Sequence, residues 1–226
     1  MNILAFESSC DETAAAVVRD GRTVLSDAIL SQADMHALYG GVVPEIASRK
    51  HVEAIAGLSD QALREAGLTR RDIDAVAVTY APGLIGAVLV GVSFAKSAAY
   101  ALGVPLIPVH HVRGHIAANY LAFPELEPPF LALAMSGGNT LIVDVKDYTD
   151  MEVLGATRDM SFSGLKTAVV NLAHNAQQKG EPLDAAALAH DFNQAVSDEL
   201  VPRAMEAARL RGRRCIVAAG GVAANT

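Results

Sequence analysis

An α/β fold built as two related lobes is what this sequence predicts, and three observations predict it. Apolar strand-like runs alternate with longer runs of helical spacing along the whole chain. The opening "NILAFESSCDETAAAVV" and the later "FLALAMSGGNTLIVDV" share one form: apolar run, small polar turn, apolar run. The composition, 51% apolar with 18 Gly and no Trp, favours close packing of helix on sheet over aromatic anchoring. A chain of 226 residues has room for one large domain or two small lobes. The expected division is a first lobe over 1–125 and an incomplete second lobe over 126–226, with Pro128-Pro129 near its start.

The elements follow in order. Ile3 to Glu7, Ala14 to Val18 and Thr23 to Leu30 read as three strands, turning at "SSCDET" and at Asp20-Gly21, and so as an antiparallel meander. Ile46, Ala47, Val52, Ile55, Ala56, Leu58, Ala62 and Leu63 keep roughly helical spacing, and Gly67 suits the end of that helix. "DAVAVTYAPG" reads as a buried strand, "LIGAVLVGVSFAKSAAYALG" as a buried helix and "VPLIPV" as another strand. The second half brings the strand pair around "SGGN", a strand at "MEVLGAT" and a helix at "SGLKTAVVNLAHNAQQ". A long helix at "LDAAALAHDFNQAVSDELVPRAMEAARLRG" is expected to break at Pro202. "RCIVAAGGVAANT" is a strand running into a Gly-Gly turn that can open a helix.

The net charge of −7 argues against nucleic-acid binding through bulk positive charge, although a local basic patch or a partner's patch can serve. Cys10 and Cys215 lie far apart and read as reduced thiols of a cytoplasmic protein. The longest apolar run, Gly83 to Ala95, falls short of the roughly 20 residues that cross a bilayer, so no membrane role is expected.

Three turns can carry chemistry. "MSGGNT" offers backbone N–H groups and the Ser136 and Thr140 hydroxyls to an anion, or is simply a hairpin turn. "AAGGVAANT" can set a helix start against a phosphate, or is a tight strand-to-helix turn. "ESSCDETAAA" packs three acids and three hydroxyls together, and within it Asp11 and Glu12 can hold a metal-bound phosphate or orient a nucleophile. Taken together, the three describe a nucleotide cleft. "PVHHVRGHIAANYL" adds His111 and His115, four apart and so on one face of a helix, the spacing at which two imidazoles grip one ion. In the H-E-x-x-H metalloprotease motif a Glu follows the first His; here Val112 stands there. Two ligands do not complete a zinc site, so a third has to come from afar or from a substrate.

In order along the chain, "ESSCDETAAAVV", "HALYGGVVPEIASRKHVE", "APGLIGAVLVGVSFAKSAA", "PVHHVRGHIAA", "MSGGNT", "FSGLKTAVV" and "AAGGVAAN" resemble the TsaD family, the bacterial tRNA threonylcarbamoyladenosine transferases once called glycoproteases. The resemblance spans nearly the whole chain. It implies the two-lobed ASKHA fold shared with actin, Hsp70 and sugar kinases. The implied activity is transfer of a threonylcarbamoyl group from threonylcarbamoyl-adenylate to N6 of the adenosine 3′ of the tRNA anticodon. It implies one divalent ion, iron (Fe2+) or zinc, on His111 and His115, and substrate contacts at Ala134, Met135, Ser136, Gly137, Gly138 and Asn225. TsaB-like and TsaE-like proteins are the implied partners. The ion would polarise the carbonyl for attack by the adenine amine, a role that needs no base at position 112.

The sequence departs from the family pattern in three places. Between Asp159 and Ser161 the family carries an extra segment with two substrate contacts, and after Thr226 it continues to an Asp that completes the metal site. Asn139 stands where the family often has His. Two alternatives to the transferase therefore stand: a shortened, non-catalytic relative that binds a partner, and an ASKHA ATPase. "RLRGRR", Arg209 to Arg214, can meet tRNA phosphates or can complement a helix C-terminus, the reading favoured here.

Overall fold

The computed structural model describes residues 1–135, 140–155 and 163–224. They form two compact units, Met1–Pro124 and Glu125–Thr226.

The first unit opens with the meander: β1 (Asn2–Glu7), β2 (Glu12–Arg19) and β3 (Thr23–Ser31), each antiparallel to the one before it. A short helix α1 (Ala33–Ala37) and a long helix α2 (Pro44–Glu65) follow. Pro44 starts α2 where its missing N–H costs nothing, and Gly67, at φ +66°, turns the chain out of it. β4 (Ala75–Ala81) then lies parallel to β1 on the edge away from β2. The crossover helix α3 (Ile85–Leu102) leads to β5 (Leu106–His110), parallel to β4, giving the sheet order β3-β2-β1-β4-β5. Two short helices, α4 (His111–Ala117) and α5 (Asn119–Ala122), close the unit.

Strand alternation sends Leu4, Phe6, Ala15, Val17, Val76 and Val78 into one core with Ile55, Ala62 and Leu63 of α2 and Ala95 and Ala99 of α3. By length and composition α3 is apolar enough to cross a membrane, yet its stripe of Ala87, Gly91, Ala95 and Ala99 is buried in this unit. The small residues bring α3 close to the sheet. A Cβ on Gly91 would lie 2.3 Å from the Ser8 hydroxyl oxygen, which itself donates to the Ala87 carbonyl at 2.9 Å. The end of β1 is thereby clamped against the start of α3.

In the second unit β6 (Phe130–Met135) pairs antiparallel with β7 (Thr140–Val145), and β7 with β8 (Met151–Gly155). Helices α6 (Ser163–Lys179) and α7 (Ala185–Arg211) lead to β9 (Ile216–Ala219), parallel to β6. The order β8-β7-β6-β9 repeats the plan β3-β2-β1-β4: a three-strand meander whose first strand takes a parallel neighbour after a helical connection. The likeness of the two opening hairpins in sequence is thus a likeness of whole sheets.

α7 is one continuous helix, against the expectation of a break at Pro202. Pro202 and Asp198 are both exposed, so the carbonyl that loses its helical partner faces water. The opposite face of α7 buries Leu200, Ala204 and Ala208 on Leu131, Leu133 and Ile142, which holds the helix together across the proline. Beyond β9 a 3-10 turn, Gly221–Ala224, stands where the sequence suggested a helix start.

Candidate metal centre

β1, β4 and β5 are adjacent and parallel, so their carboxyl ends meet at one edge of the first unit's sheet. Ligands in parallel α/β sheets bind at such ends. Each strand delivers a polar group there: Glu7 ends β1, Thr79 lies near the end of β4, and β5 ends at His110, the N-cap of α4. α4 begins with His111, and one turn later it carries His115.

The sequence spacing becomes a real pair. His111 Nε2 and His115 Nε2 are 3.0 Å apart, with ring centroids at 4.4 Å. Two imidazole nitrogens bound to one ion at about 2.0–2.1 Å stand about 2.9–3.4 Å apart, so these two fit a common ion. Among the described residues, no group of three or more His, Cys, Asp and Glu side chains makes a complete cage.

Glu7 sets the tautomer. His111 Nδ1 lies 3.2 Å from Glu7 Oε2 and 3.1 Å from Ser9 Oγ. A carboxylate can only accept, so Nδ1 carries the proton and Nε2 is left to bind, the arrangement typical of a metal-ligating histidine and its carboxylate. Burial pushes the Glu7 carboxyl up, but hydrogen bonds from His111, Thr79 and Ser9 outweigh it and bring it down to about 2. Thr79 Oγ1 donates to Glu7 Oε2 at 2.6 Å, and the Ser9 amide donates to Oε1. The carboxylate in turn raises the pKa of His111, while burial, and then the charge of His111, lower that of His115. The Glu7–Ser9 segment is fixed from behind. Leu84 N donates to the Ser9 carbonyl at 2.8 Å, and Gly83 is so close that a Cβ there would meet Ser9 at 2.7 Å.

Asp11 and Glu12 lie on the same turn, between β1 and β2. The Asp11 carbonyl accepts from Gln32 N at 2.9 Å, and Glu12 opens β2 opposite Ser31, its side chain exposed. The carboxylate on His111 is instead Glu7, which sequence reasoning did not single out. Its signal was an acid closing an apolar strand. His110, at the strand end, stacks edge-on to Tyr80 with centroids 6.3 Å apart.

In the second unit, Ala134 is buried in β6 between Leu141 of β7 and Ala219 of β9, and Met135 ends the strand opposite Thr140. Gly220, at φ +93°, follows β9 so closely that a Cβ would lie 2.2 Å from the Met135 carbonyl oxygen. Ser136, Gly137, Gly138 and Asn225 lie outside the described residues. The basic cluster is partly committed: Arg211 pairs with Glu152 at 2.8 Å, and Arg213 forks onto the buried Asp144 at 2.6 and 3.0 Å.

Repeated meander-plus-parallel sheets define an α/β protein of the class that contains the sugar kinases, an ASKHA-type fold. A ROK hexokinase from Thermus thermophilus matches 99% of this chain and 83% of its own at TM-score 0.57 and 19% identity, and a ROK family protein from Streptococcus pneumoniae matches 100% and 82% at TM-score 0.58 and 14% identity. At these identities the likeness is one of fold. Sequence narrows the class: the chain belongs to the TsaD family, tRNA N6-adenosine threonylcarbamoyltransferase, whose model matches residues 23–161 and 157–226. The transferase of that name from Clostridium novyi is 45% identical, and that from Clostridium kluyveri 44%, each over 276 aligned positions covering 100% of this chain and 81% of the relative. Alignments of 276 positions against 226 residues leave 50 positions of the relative facing gaps. The two family matches meet at residues 157–161, where the sequence passes from "ATRDM" directly to "SFSGLKT".

Proposed function

We propose that this chain transfers the threonylcarbamoyl group of threonylcarbamoyl-adenylate to N6 of the adenosine 3′ of the tRNA anticodon. The observation that carries this is the His111–His115 pair with Glu7 on His111 Nδ1, at the carboxyl ends of three parallel strands, in a chain 45% identical to a transferase of that name. His111 and His115 would hold one divalent ion, iron or zinc, which when bound supplies Lewis-acid polarisation of an acyl oxygen. In the reaction the adenine N6 forms a bond to the acyl carbon, the carbon–oxygen bond to phosphate breaks, and AMP leaves with that electron pair. N6 sheds one proton.

This chain's residues do the rest. Asp11 and Glu12 orient the amine and take its proton. Glu7 keeps His111 in the tautomer that presents Nε2. The adenylate contacts that membership of the TsaD family implies are Ala134 to Gly138 and Asn225. The −7 charge supports a division of labour in which TsaB-like and TsaE-like partners supply part of the tRNA surface, in the cytoplasm.

The test supplies threonylcarbamoyl-adenylate, unmodified tRNA and bacterial partner proteins, reads nucleosides by mass spectrometry, and runs His111→Ala beside the wild type. Modified adenosine that vanishes together with bound metal in the variant is the expected result. Modification and metal content both unchanged in His111→Ala would overturn the metal role. No product from the wild type, beside an active full-length relative, would favour the second reading, a partner-binding scaffold. That reading is motivated by the 50 unmatched positions.

A further inference from the structure

Away from the histidine pair, the first unit buries a chain of polar side chains that the proposed reaction does not use. His51 is 0% exposed, Thr13 0%, His36 3% and Gln32 5%. Hydrogen bonds join them into one chain. His51 Nε2 stands 3.0 Å from the Cys10 carbonyl, which can only accept, so Nε2 carries the hydrogen. His51 Nδ1 pairs with Thr13 Oγ1 at 2.7 Å. Gln32 Nε2 points at the same Nδ1 from 3.5 Å, and Gln32 Oε1 accepts from His36 Nε2 at 3.2 Å. His36 Nδ1 accepts from Val43 N at 3.3 Å. The backbone of Gln32 also reaches across, its N–H on the Asp11 carbonyl at 2.9 Å.

Residues 10, 11 and 13 are thus each held by a buried partner, and the residues so bracketed are Asp11 and Glu12. Burying two imidazoles and an amide is poor use of a core if stability alone is the aim, because each must first give up water. A fully satisfied network instead fixes one backbone geometry.

We propose that His51 is a positioning residue for the Asp11 and Glu12 carboxylates, acting with Gln32 and His36 as one hydrogen-bonded unit that sets the Cys10–Thr13 turn. The proposal rests on the transferase reading above. It makes His51 matter to turnover rather than to substrate or metal binding, because the imidazole touches only Cys10, Thr13 and Gln32 among these groups.

The experiment compares steady-state transfer by wild type, His51→Gln and His51→Asn, with melting temperature and bound metal measured on each. A Gln amide reaches the place of Nε2 and keeps a donor for Cys10; an Asn oxygen reaches the place of Nδ1 and keeps only Thr13. The expected result is a fall in kcat of about tenfold or more in His51→Asn, recovered to within about threefold in His51→Gln, with KM and metal content held, since displacement of a catalytic group by about 1 Å costs about this much or more. Equal activities in the two variants, or losses that follow KM or melting temperature, overturn the proposal. Thr13→Val and Thr13→Ser provide a second pair should a His51 variant fail to fold: Val is expected to lower kcat and Ser to restore it, and equal values again overturn the proposal. Wild type without product removes the transferase reading and this inference with it. Active wild type with indifferent variants removes this inference alone.

Discussion

Removing the Glu7 carboxylate is the most informative perturbation of the proposed metal centre. Glu7 Oε2 lies 3.2 Å from His111 Nδ1 and touches neither Nε2. Glu7→Gln therefore leaves both Nε2 atoms in place, takes away the charge behind one of them, and turns one of the two acceptor oxygens, Oε1 facing the Ser9 amide or Oε2 facing Thr79 and His111, into a donor. Loss of such a carboxylate behind a ligating histidine costs about 10–100-fold in metal affinity, or about 1.4–2.7 kcal/mol. The pH dependence moves as well. Glu7 raises the pKa of His111, and a proton on Nε2 competes with the metal. Without the charge that pKa falls, so the inflection at which affinity starts to fall on acidification moves to lower pH, while affinity at pH 8 weakens. The assay is titration of metal-free protein with Zn2+, or anaerobically with Fe2+, against a chelator of known affinity, from pH 5.5 to 8. Affinity at pH 8 and inflection that both match wild type would refute the reasoning, and with it the claim that Glu7 orients His111 for a ligand. Affinity lost without a shift of the inflection would mean that Glu7 acts through hydrogen-bond geometry and not through charge.

Three further outcomes are expected. Burial, and then Asp11, push the Cys10 thiol up to about 11, so in a Cys215→Ser background its alkylation by iodoacetamide should rise about tenfold per pH unit from 8 to 10 and level off only near 11; a plateau by pH 9 would contradict the shift. Gly220→Ala drives a Cβ to 2.2 Å from the Met135 carbonyl at φ +93°, and should cost about 2 kcal/mol or more in urea unfolding, whereas Gly212→Ala, with the same strain of positive φ but open space around it, should cost about 1 kcal/mol. Asp144→Ala strands the Arg213 fork at a carboxylate that is 1% exposed, and should lower the melting temperature by more than Glu152→Ala, whose pairs with Lys146 and Arg211 are 40% exposed; equal shifts would show the fork to be energetically ordinary.

Much of this molecule is written locally. Alternating burial in β1 and β2 follows from residue order alone, because period-two patterning dictates which side chains face a core. Gly103 and Gly212, each in the left-handed region, end α3 and α7 at the positions where the sequence places a glycine after a helical run. The histidine pair was legible too, since four residues bring two side chains to one helix face wherever the helix sits. Motifs in order along the chain led to the TsaD family, and the family match agrees.

Other features needed the tertiary structure, for one reason: they depend on contacts between distant segments. Glu7 and His111 are 104 residues apart and meet only because β1, β4 and β5 are parallel neighbours. No local pattern marks Glu7 above Asp11 or Glu12 as the acid behind the histidine. His51 looks like one more polar residue on an amphipathic helix until α2 packs on β2 and buries it against Thr13 and Cys10. The continuity of α7 through Pro202 was undecidable from propensity, because the apolar face that holds it, Leu200, Ala204 and Ala208 on Leu131 and Leu133, exists only once the second sheet has formed. Interactions within a few residues set the elements and their chemistry; the fold chose which distant groups share a hydrogen bond, and so which carboxylate stands behind the histidines.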